Sequence, residues 1–548
     1  MTGTTEWECV VVGAGSAGSV LASRLAAAGQ RVLLLEAGPA QPNPASASHP
    51  LRDAGRLVLR DYNWDHQVNL RGSGRHAALL AGSGPVEGSP ARARWARFPY
   101  QLGKVVGGSS AVNGAVAMRA LPRDFDQWVK RGNPDWSADR VLPYYRRLED
   151  DRDFGDDPQR HGAGGPVPIT RARRSELHEL DAAFWRACTD SGLPALPDLN
   201  HFSGAGVHSR SDVEAGPGGG EAGVGPVPTN AVDGVRMDTA TCYLPVPPPP
   251  NLTIHSGALV TRVLTAGGRA VGVELRDGRT VYAGEVVLSA GAIGTPALLQ
   301  RSGIGDARLC RALGISPVAD LPGVGEQLTD HASIVIWAVP ASGDPRPRSR
   351  WREVAARLTS GVDGEVDLQL GLLNDVDTAA IPDLAGRFDT ATAVGMSVML
   401  MRPESRGRVF LTHPDPDQPP AVELGMGGHE QDLARLAGGV RAAWRLLRSP
   451  AIADRLARIQ FWSDRMIDDD VVVRSAVRNI MNPGWHPTST AQMGPATDPT
   501  SVVDQECRVH GVPGLRVVDA SVFPTIPSVP TNLTTIMLAE RIASRLEG

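Results

Sequence analysis

Two stretches of this 548-residue chain combine residue types and spacings that can do chemistry. The first is Gly13-Ala14-Gly15-Ser16-Ala17-Gly18, a GxGxxG run. That pattern is weak in isolation, but here it has its context. An apolar β-prone run (Cys9 to Val12) precedes it and a helix-like stretch (Ser19 to Ala28) follows. A second apolar strand (Arg31 to Leu35) then ends in Glu36, 18 residues past the last glycine. Glycines at these positions let the backbone approach a pyrophosphate at a helix N-terminus, where unpaired N–H groups and the helix dipole favour anions. Glu36 is placed to accept hydrogen bonds from an adenosine ribose. The unit predicts a bound dinucleotide and leaves FAD and NAD open. The second stretch is "NPGWHPTSTAQMG", Asn482 to Gly494, which sets one of only 13 histidines, His486, between Trp485 and Pro487. It has neither helical nor strand period. Read alone, it is a capped loop with an incidental histidine.

The elements that must position these residues are spread along the chain. A further glycine-rich segment from Gly103, "GKVVGGSSAVNGAVAMRA", lets backbone come close to a flat or phosphorylated ligand. Residues 251–288 alternate β-branched residues with turn signals and read as a β-meander. They return into "VVLSAGAIGTPALLQRSGIG", a buried strand leading to a helix. Strands distant in sequence but joined in one sheet are the mark of a split nucleotide-binding domain. "DFDQWVKRGNPDWSADRVLPYYRRLEDD" is helical in pattern, with Pro143 expected at or near a helix start. The tracts 71–94 and 216–228 are rich in Gly, Ala, Ser and Pro and read as surface loops or lids over a cleft. No solenoid or propeller repeat is evident.

Composition narrows the function classes. Hydrophobic residues make up 42% and charged residues 21%, as in ordinary globular proteins. A net charge of −5 gives no reason to expect a nucleic-acid or anionic-membrane partner. No apolar run approaches a membrane span, and no secretory signal is visible at the N-terminus. The five cysteines are odd in number and widely spaced, which suits a reducing cytoplasm, the expected location, and argues against structural zinc.

The motifs quoted above, together with "LPGVGEQLTDH", "MRPESRGRV" and "VHGVPGLRVVDASVFPTIPSVPTNLTTIMLAERIA", stand in an order that resembles the glucose–methanol–choline (GMC) oxidoreductases. These are FAD enzymes that oxidise alcohols, and the likeness covers nearly the whole chain. It implies an α/β (α+β) fold: a Rossmann-like FAD-binding domain interleaved with a substrate domain built on an antiparallel sheet flanked by helices. The FAD-binding parts are expected at 1–170, 241–330 and 478–548, and the substrate parts at 171–240 and 331–477. The resemblance implies hydride transfer from an alcohol to flavin N5. His486 would be the base, an imidazole with a pKa near neutrality. Asn532 would fill the second catalytic position and hydrogen-bond the developing alkoxide. That is a His–Asn pair, as in choline-dehydrogenase-like relatives. Asn532 also reads as a helix N-cap, and the two roles are compatible.

By the same matching, Gly13, Gly15, Ser16, Ala17 and Gly18 would cradle the pyrophosphate, with Glu36 on the ribose. Val105, Gly108, Ser109, Asn113, Gly114, Ala115 and Val116 would line the flavin side. Val260 would offer backbone to the adenine, Ala290 would lie beside the nucleotide, and Asp519 and Ala520 would meet the pyrophosphate and ribityl region. Ala37, Trp485, Leu533 and Thr535 complete the implied cofactor contacts. Some relatives attach FAD through a histidine just after the GGSS-like motif; that position is Val112 here, so non-covalent FAD is expected.

Substrate identity is less legible. "EVDLQLGLLND" reads as a strand that, in the family, lies over the flavin. Period two puts Asp367, Gln369 and Gly371 on one face and Leu368, Leu370 and Leu372 on the other. If the first face meets the pocket, the site suits a hydroxyl-rich or amino-bearing alcohol; the alternative is a solvent edge. Aromatics at 5% give little support for a cage around a quaternary ammonium. The other histidines (His66, His76, His161, His255, His331 and His510 among them) show no paired ligand spacing and read as surface or structural, so no metal is expected. The expected activity is oxidation of a primary, polar alcohol to the aldehyde, with electrons passing to O2 or another acceptor. The alternative is a lyase on the same flavoprotein scaffold, of the cyanohydrin-cleaving kind. A light-driven decarboxylase is disfavoured by the His486–Asn532 pair.

Overall fold

The computed structural model describes residues 6–41, 49–55, 61–81, 97–201, 221–341, 350, 352–379, 384 and 386–546. The N-terminal motif folds as β1 (Trp7–Val12), α1 (Gly18–Ala27) and β2 (Val32–Leu35). Its strands are continuous apolar runs because both sheet faces are covered. β1 pairs in parallel with β2 and with β3 (Thr280–Leu288), which in turn pairs in parallel with β4 (Leu515–Val517). One parallel sheet therefore draws strands from both ends and the middle of the chain. The Leu252–His255 strand also joins it, in parallel with β2. The expected 251–288 meander is thus shorter: only Val260–Ala266, Arg269–Leu275 and β3 run antiparallel. The C-terminal helix α2 (Asn532–Leu546) packs on α1, and buried Glu540 accepts from Arg24 and from Tyr243 Oη.

The second sheet is antiparallel throughout. Its order is Leu456–Ile459, Ala332–Pro340, Thr392–Leu400, Val366–Asp377, Val354–Thr359, Gly223–Pro226. The short Asn482–Pro483 strand adds to Ala332–Pro340, which ties the His486 loop to this sheet. One face packs on the helix Glu430–Leu447, whose Leu433, Leu436 and Val440 join Leu368, Leu370 and Val398 in a core. At Gly439 a Cβ would lie 2.5 Å from Val398 Cγ1, so only glycine lets helix and sheet approach this closely. The opposite face is turned toward the parallel sheet.

Several loop expectations change. Gly223–Pro226 is a buried edge strand, and Arg75–Leu80 is a helix. The rest of the low-complexity tracts, 82–94 and 216–220, lies outside the described residues. Pro143 sits inside the helix Ala138–Leu148 rather than at its start. It is exposed, as is Asp139, so water can satisfy the carbonyl that loses its partner. His161 lies between Asp151 and Asp198, both of which also pair with Arg171, and these contacts push the imidazole up to about 8. No helix among the described residues is long and apolar enough to cross a membrane.

Candidate active site

Parallel strands in this sheet all end on the same side, so the turns that follow them converge. Gly13 follows β1, Glu36 follows β2, Ser289 and Ala290 follow β3, and Asp519 follows β4. These turns floor a cavity of about 760 Å³ whose roof is the inner face of the antiparallel sheet. At Gly13 (φ +100°) a Cβ would sit 2.4 Å from the Ser289 carbonyl oxygen. At Gly108 it would sit 2.6 Å from Gly15 Cα, so the two glycine-rich segments touch through bare backbone. The first turn of α1 carries no acidic residue and no side-chain cap, which leaves its N–H groups to an anion. Glu36 is buried, with Oε2 accepting from Ala14 N (2.9 Å) and Oε1 from Gly38 N (2.7 Å). Asp519 is equally anchored, accepting from Gly291 N, Thr295 Oγ1 and Ser521 N. Burial raises both carboxyls above the usual range.

The His486 loop is held from behind. Its backbone N–H donates to Asp330 Oδ1 at 2.8 Å, while Tyr100 Oη donates to Asp330 Oδ2 at 2.6 Å. Thr329 and Thr488 exchange backbone hydrogen bonds, and Gly484 N donates to the His331 carbonyl. Trp485 takes a left-handed backbone (φ +58°), a strained conformation for a non-glycine residue that turns the next side chain into the cavity.

Two imidazoles meet here. His331 Nδ1 and His486 Nδ1 lie 2.9 Å apart with their rings edge to face, and His331 Nε2 lies 3.1 Å from the Pro527 carbonyl oxygen. A carbonyl can only accept, so His331 carries its proton on Nε2 and offers Nδ1 as an acceptor. His486 must then donate from Nδ1, which leaves its Nε2 lone pair free. His331 is fully buried and its pKa is pushed well down by burial and by His486, so it stays neutral. His486 itself is lowered to about 4, by burial first and then by the Arg352 guanidinium. This departs from the near-neutral value expected from the sequence. The reason is a partly enclosed setting beside a guanidinium that only the fold creates.

Asn532 is the first residue of α2, and its Oδ1 accepts from Ser16 Oγ at 2.7 Å. That orientation leaves its amide N–H groups to donate into the cavity.

The roof follows strand alternation. Ser333, Met399 and Gln369 form one cross-strand row, and Val335, Ser397 and Gly371 the next. Gln369 lines the cavity, while Leu368, Leu370 and Leu372 face the helices.

These features match known sequences. Residues 7–333 and 403–539 each match the description "GMC oxidoreductase". The chain belongs to the GMC oxidoreductases. It is 34% identical to 5-(hydroxymethyl)furfural oxidase from Methylovorus sp., over 99% of both chains. It is 33% identical to oxygen-dependent choline dehydrogenase from Photobacterium profundum, over 99% of this chain and 93% of that one. Its structure is similar to that of pyridoxine 4-oxidase from Mesorbium loti, with TM-score 0.83, 27% identity and coverage of 98% and 99%. This GMC oxidoreductase is an FAD-dependent enzyme acting on CH–OH donors, and the bare-backbone cradle, the open helix N-terminus and the anchored Glu36 fit that cofactor.

Most residues that the resemblance assigns to FAD do line the cavity of this GMC oxidoreductase, including Gly15, Ala17, Ala37, Ser109, Asn113, Gly114, Val116, Val260, Ala520 and Thr535. Four do not. Gly18 is pressed against the Gly13 carbonyl, where it lets α1 pack on β1, and Val105 is buried against Leu51, Ala111 and Val112. Ala115 packs with Ala54 and Ala231, and Leu533 is buried in the main core. Asp367 is also corrected. It lies at the start of its strand, neither in the cavity nor in solvent, accepting from Ser360 N and Oγ at 2.7 Å and pairing with Arg435. Its role is to close the 359–367 turn.

Three residues of the site escaped sequence reasoning. His331 and Asp330 end the quoted "LPGVGEQLTDH" motif, but nothing in it signals contact with a loop 155 residues away. Arg352 stands in no motif at all. Val112 lines the cavity and offers no nucleophile, so acid denaturation should release free FAD; flavin retained on the precipitated chain would overturn this. Glu36→Ala should lower the FAD-to-protein ratio after dialysis and leave the flavin-reduction rate of loaded molecules nearly intact. Unchanged FAD affinity would remove Glu36 from the nucleotide.

Proposed function

We propose that this enzyme oxidises a primary, polar alcohol to the aldehyde, with His486 Nε2 taking the hydroxyl proton and the Asn532 amide donating to the alkoxide oxygen. The observation that carries the reading is the His331–His486 contact, which sets His486 in the tautomer with a free Nε2 acceptor facing the cavity. FAD, held over the glycine segments, supplies the acceptor for the hydride that leaves the α-carbon. His486 needs no deprotonation at neutral pH, because the enclosed site already keeps it neutral. The Asp330 clamp fixes the loop, so the ring meets the substrate without searching rotamers. Electrons pass on to O2 or another acceptor. A panel of alcohols assayed in parallel with O2 and an artificial acceptor tests both points, and a flavin that no alcohol bleaches anaerobically would overturn the reading.

The pH dependence follows from His486. Its protonated form cannot accept a proton, and that form accumulates only as pH falls through about 4. Anaerobic flavin reduction should therefore be flat through neutrality and decline only at the acid end. A rise centred near pH 7 would show that the ring is not desolvated as described. His331→Ala should slow reduction roughly 10-fold, by analogy with the partners that orient metal-bound imidazoles, which are worth ~10–100-fold. His331→Asn restores an acceptor and should recover part of the rate. Equal rates in both variants would assign His331 to packing alone.

A further inference from the structure

The cavity holds a positive charge that the reaction proposed above does not use. Arg352 is only 8% exposed and lines the cavity, yet its side chain has no hydrogen bond among the described residues. Its Nε is buried without a partner, and no described carboxylate comes within ion-pairing distance. Asp181 acts on it only through space, and Asp181 Oδ2 accepts from the Asn374 amide. Burial lowers the guanidinium to about 10, which still leaves it charged at neutral pH. A buried, unpaired guanidinium strongly destabilises a fold unless something compensates it. Space for it is also built in. At Gly371, on the roof beside Ser397, a Cβ would lie 3.0 Å from both Arg352 Cδ and Nε. Among the other cavity-lining groups without a hydrogen-bond partner are the Trp485 indole Nε1 and Gln369 Oε1. Trp485 adjoins His486 in sequence, and Arg352 is close enough to depress the His486 imidazole.

We infer that Arg352, with the Trp485 indole N–H lining the same cavity, is an anchor for a carboxylate on the substrate, so that the preferred alcohols are hydroxy acids with the hydroxymethyl group held at His486. The inference rests on the alcohol-oxidation reading for its second half only. A planar guanidinium presents paired N–H donors that match the two oxygens of a carboxylate. The indole N–H adds a donor that a cationic group could not use. The same charge works against a quaternary ammonium alcohol, because like charges in a desolvated site repel. A substrate carboxylate would supply the directly paired counter-charge that Arg352 lacks among the described residues.

The test compares 4-(hydroxymethyl)benzoate, benzyl alcohol and choline as anaerobic reductants of the holoenzyme, and measures benzoate binding from the flavin absorbance change. 4-(Hydroxymethyl)benzoate should exceed benzyl alcohol in kred/Kd by about 10²-fold, a size expected for a buried charge pair, and choline should be the poorest. In Arg352→Gln the ratio of the two aromatic alcohols should collapse toward one, and benzoate should cease to bind. Arg352→Lys should keep part of both. A wild-type enzyme that prefers benzyl alcohol or choline overturns the anchor without any variant, as does an Arg352→Gln enzyme that keeps the preference. If no alcohol reduces the flavin but benzoate binds in an Arg352-dependent way, the anchor stands and the alcohol chemistry falls. If alcohols react but benzoate does not bind, the anchor falls and the chemistry stands.

Discussion

His486→Ala should slow anaerobic flavin reduction by ~10²–10⁴-fold, the usual worth of a positioned general base. At about 1.36 kcal/mol per decade this is roughly 3–5.5 kcal/mol of transition-state stabilisation. The variant should remain folded and yellow, because the loop is clamped through groups that the substitution spares. The backbone N–H of residue 486 still reaches Asp330, Thr488 still pairs with Thr329, and Gly484 still donates to the His331 carbonyl. What disappears is the Nε2 lone pair and the Nδ1 donor to His331. A packing role alone predicts the reverse, with lower stability and a rate nearly intact. Stopped-flow reduction of the variant at near wild-type speed would remove His486 from the chemistry.

Asn532→Ala should slow the same step by about 10²-fold, the lower end of what losing one donor to a developing oxyanion costs. Alanine also removes the acceptor for Ser16 Oγ, so the glycine loop could shift and contribute to the loss. Asn532→Asp separates the two effects. The carboxylate still accepts from Ser16 but replaces the amide N–H groups with a second acceptor. If donation to the alkoxide is the role, Asp should be at least as slow as Ala; if tethering the loop is the role, Asp should approach wild type. If both groups act on one oxygen, as proposed, the double variant His486→Ala/Asn532→Ala should fall short of the product of the single effects. Independent, fully multiplicative losses would mean that they serve different steps.

The distance of a residue's partners decided whether sequence could read it. The β1–α1–β2 unit is legible because its determinants are local. Glycines tolerate left-handed φ and close approach, an apolar run makes a buried strand, and the acid follows at the end of the next strand. The alternation of Val366–Asp377 was equally local, so the division into a helix-packed leucine face and an opposite face holds as far as Gln369. What period two could not tell was where that face ends. Asp367 has the right parity but belongs to a turn closed by Ser360 and Arg435, the latter 68 residues further on.

The environment of the candidate site was the least legible part. His486 stands out in its Trp–His–Pro frame, yet its tautomer depends on His331, whose own tautomer depends on the Pro527 carbonyl. Its lowered pKa depends on burial and on Arg352, which stands 134 residues earlier in the chain. Sequence alone determined that the chain builds a dinucleotide cradle and supplies an imidazole of the right kind. Tertiary structure decided which ring nitrogen is free, at what pH it is neutral, and that a lone guanidinium shares its cavity. Hydrogen-bond roles and desolvation are properties of neighbours brought together in space, and the spacing of residues along a chain does not record them.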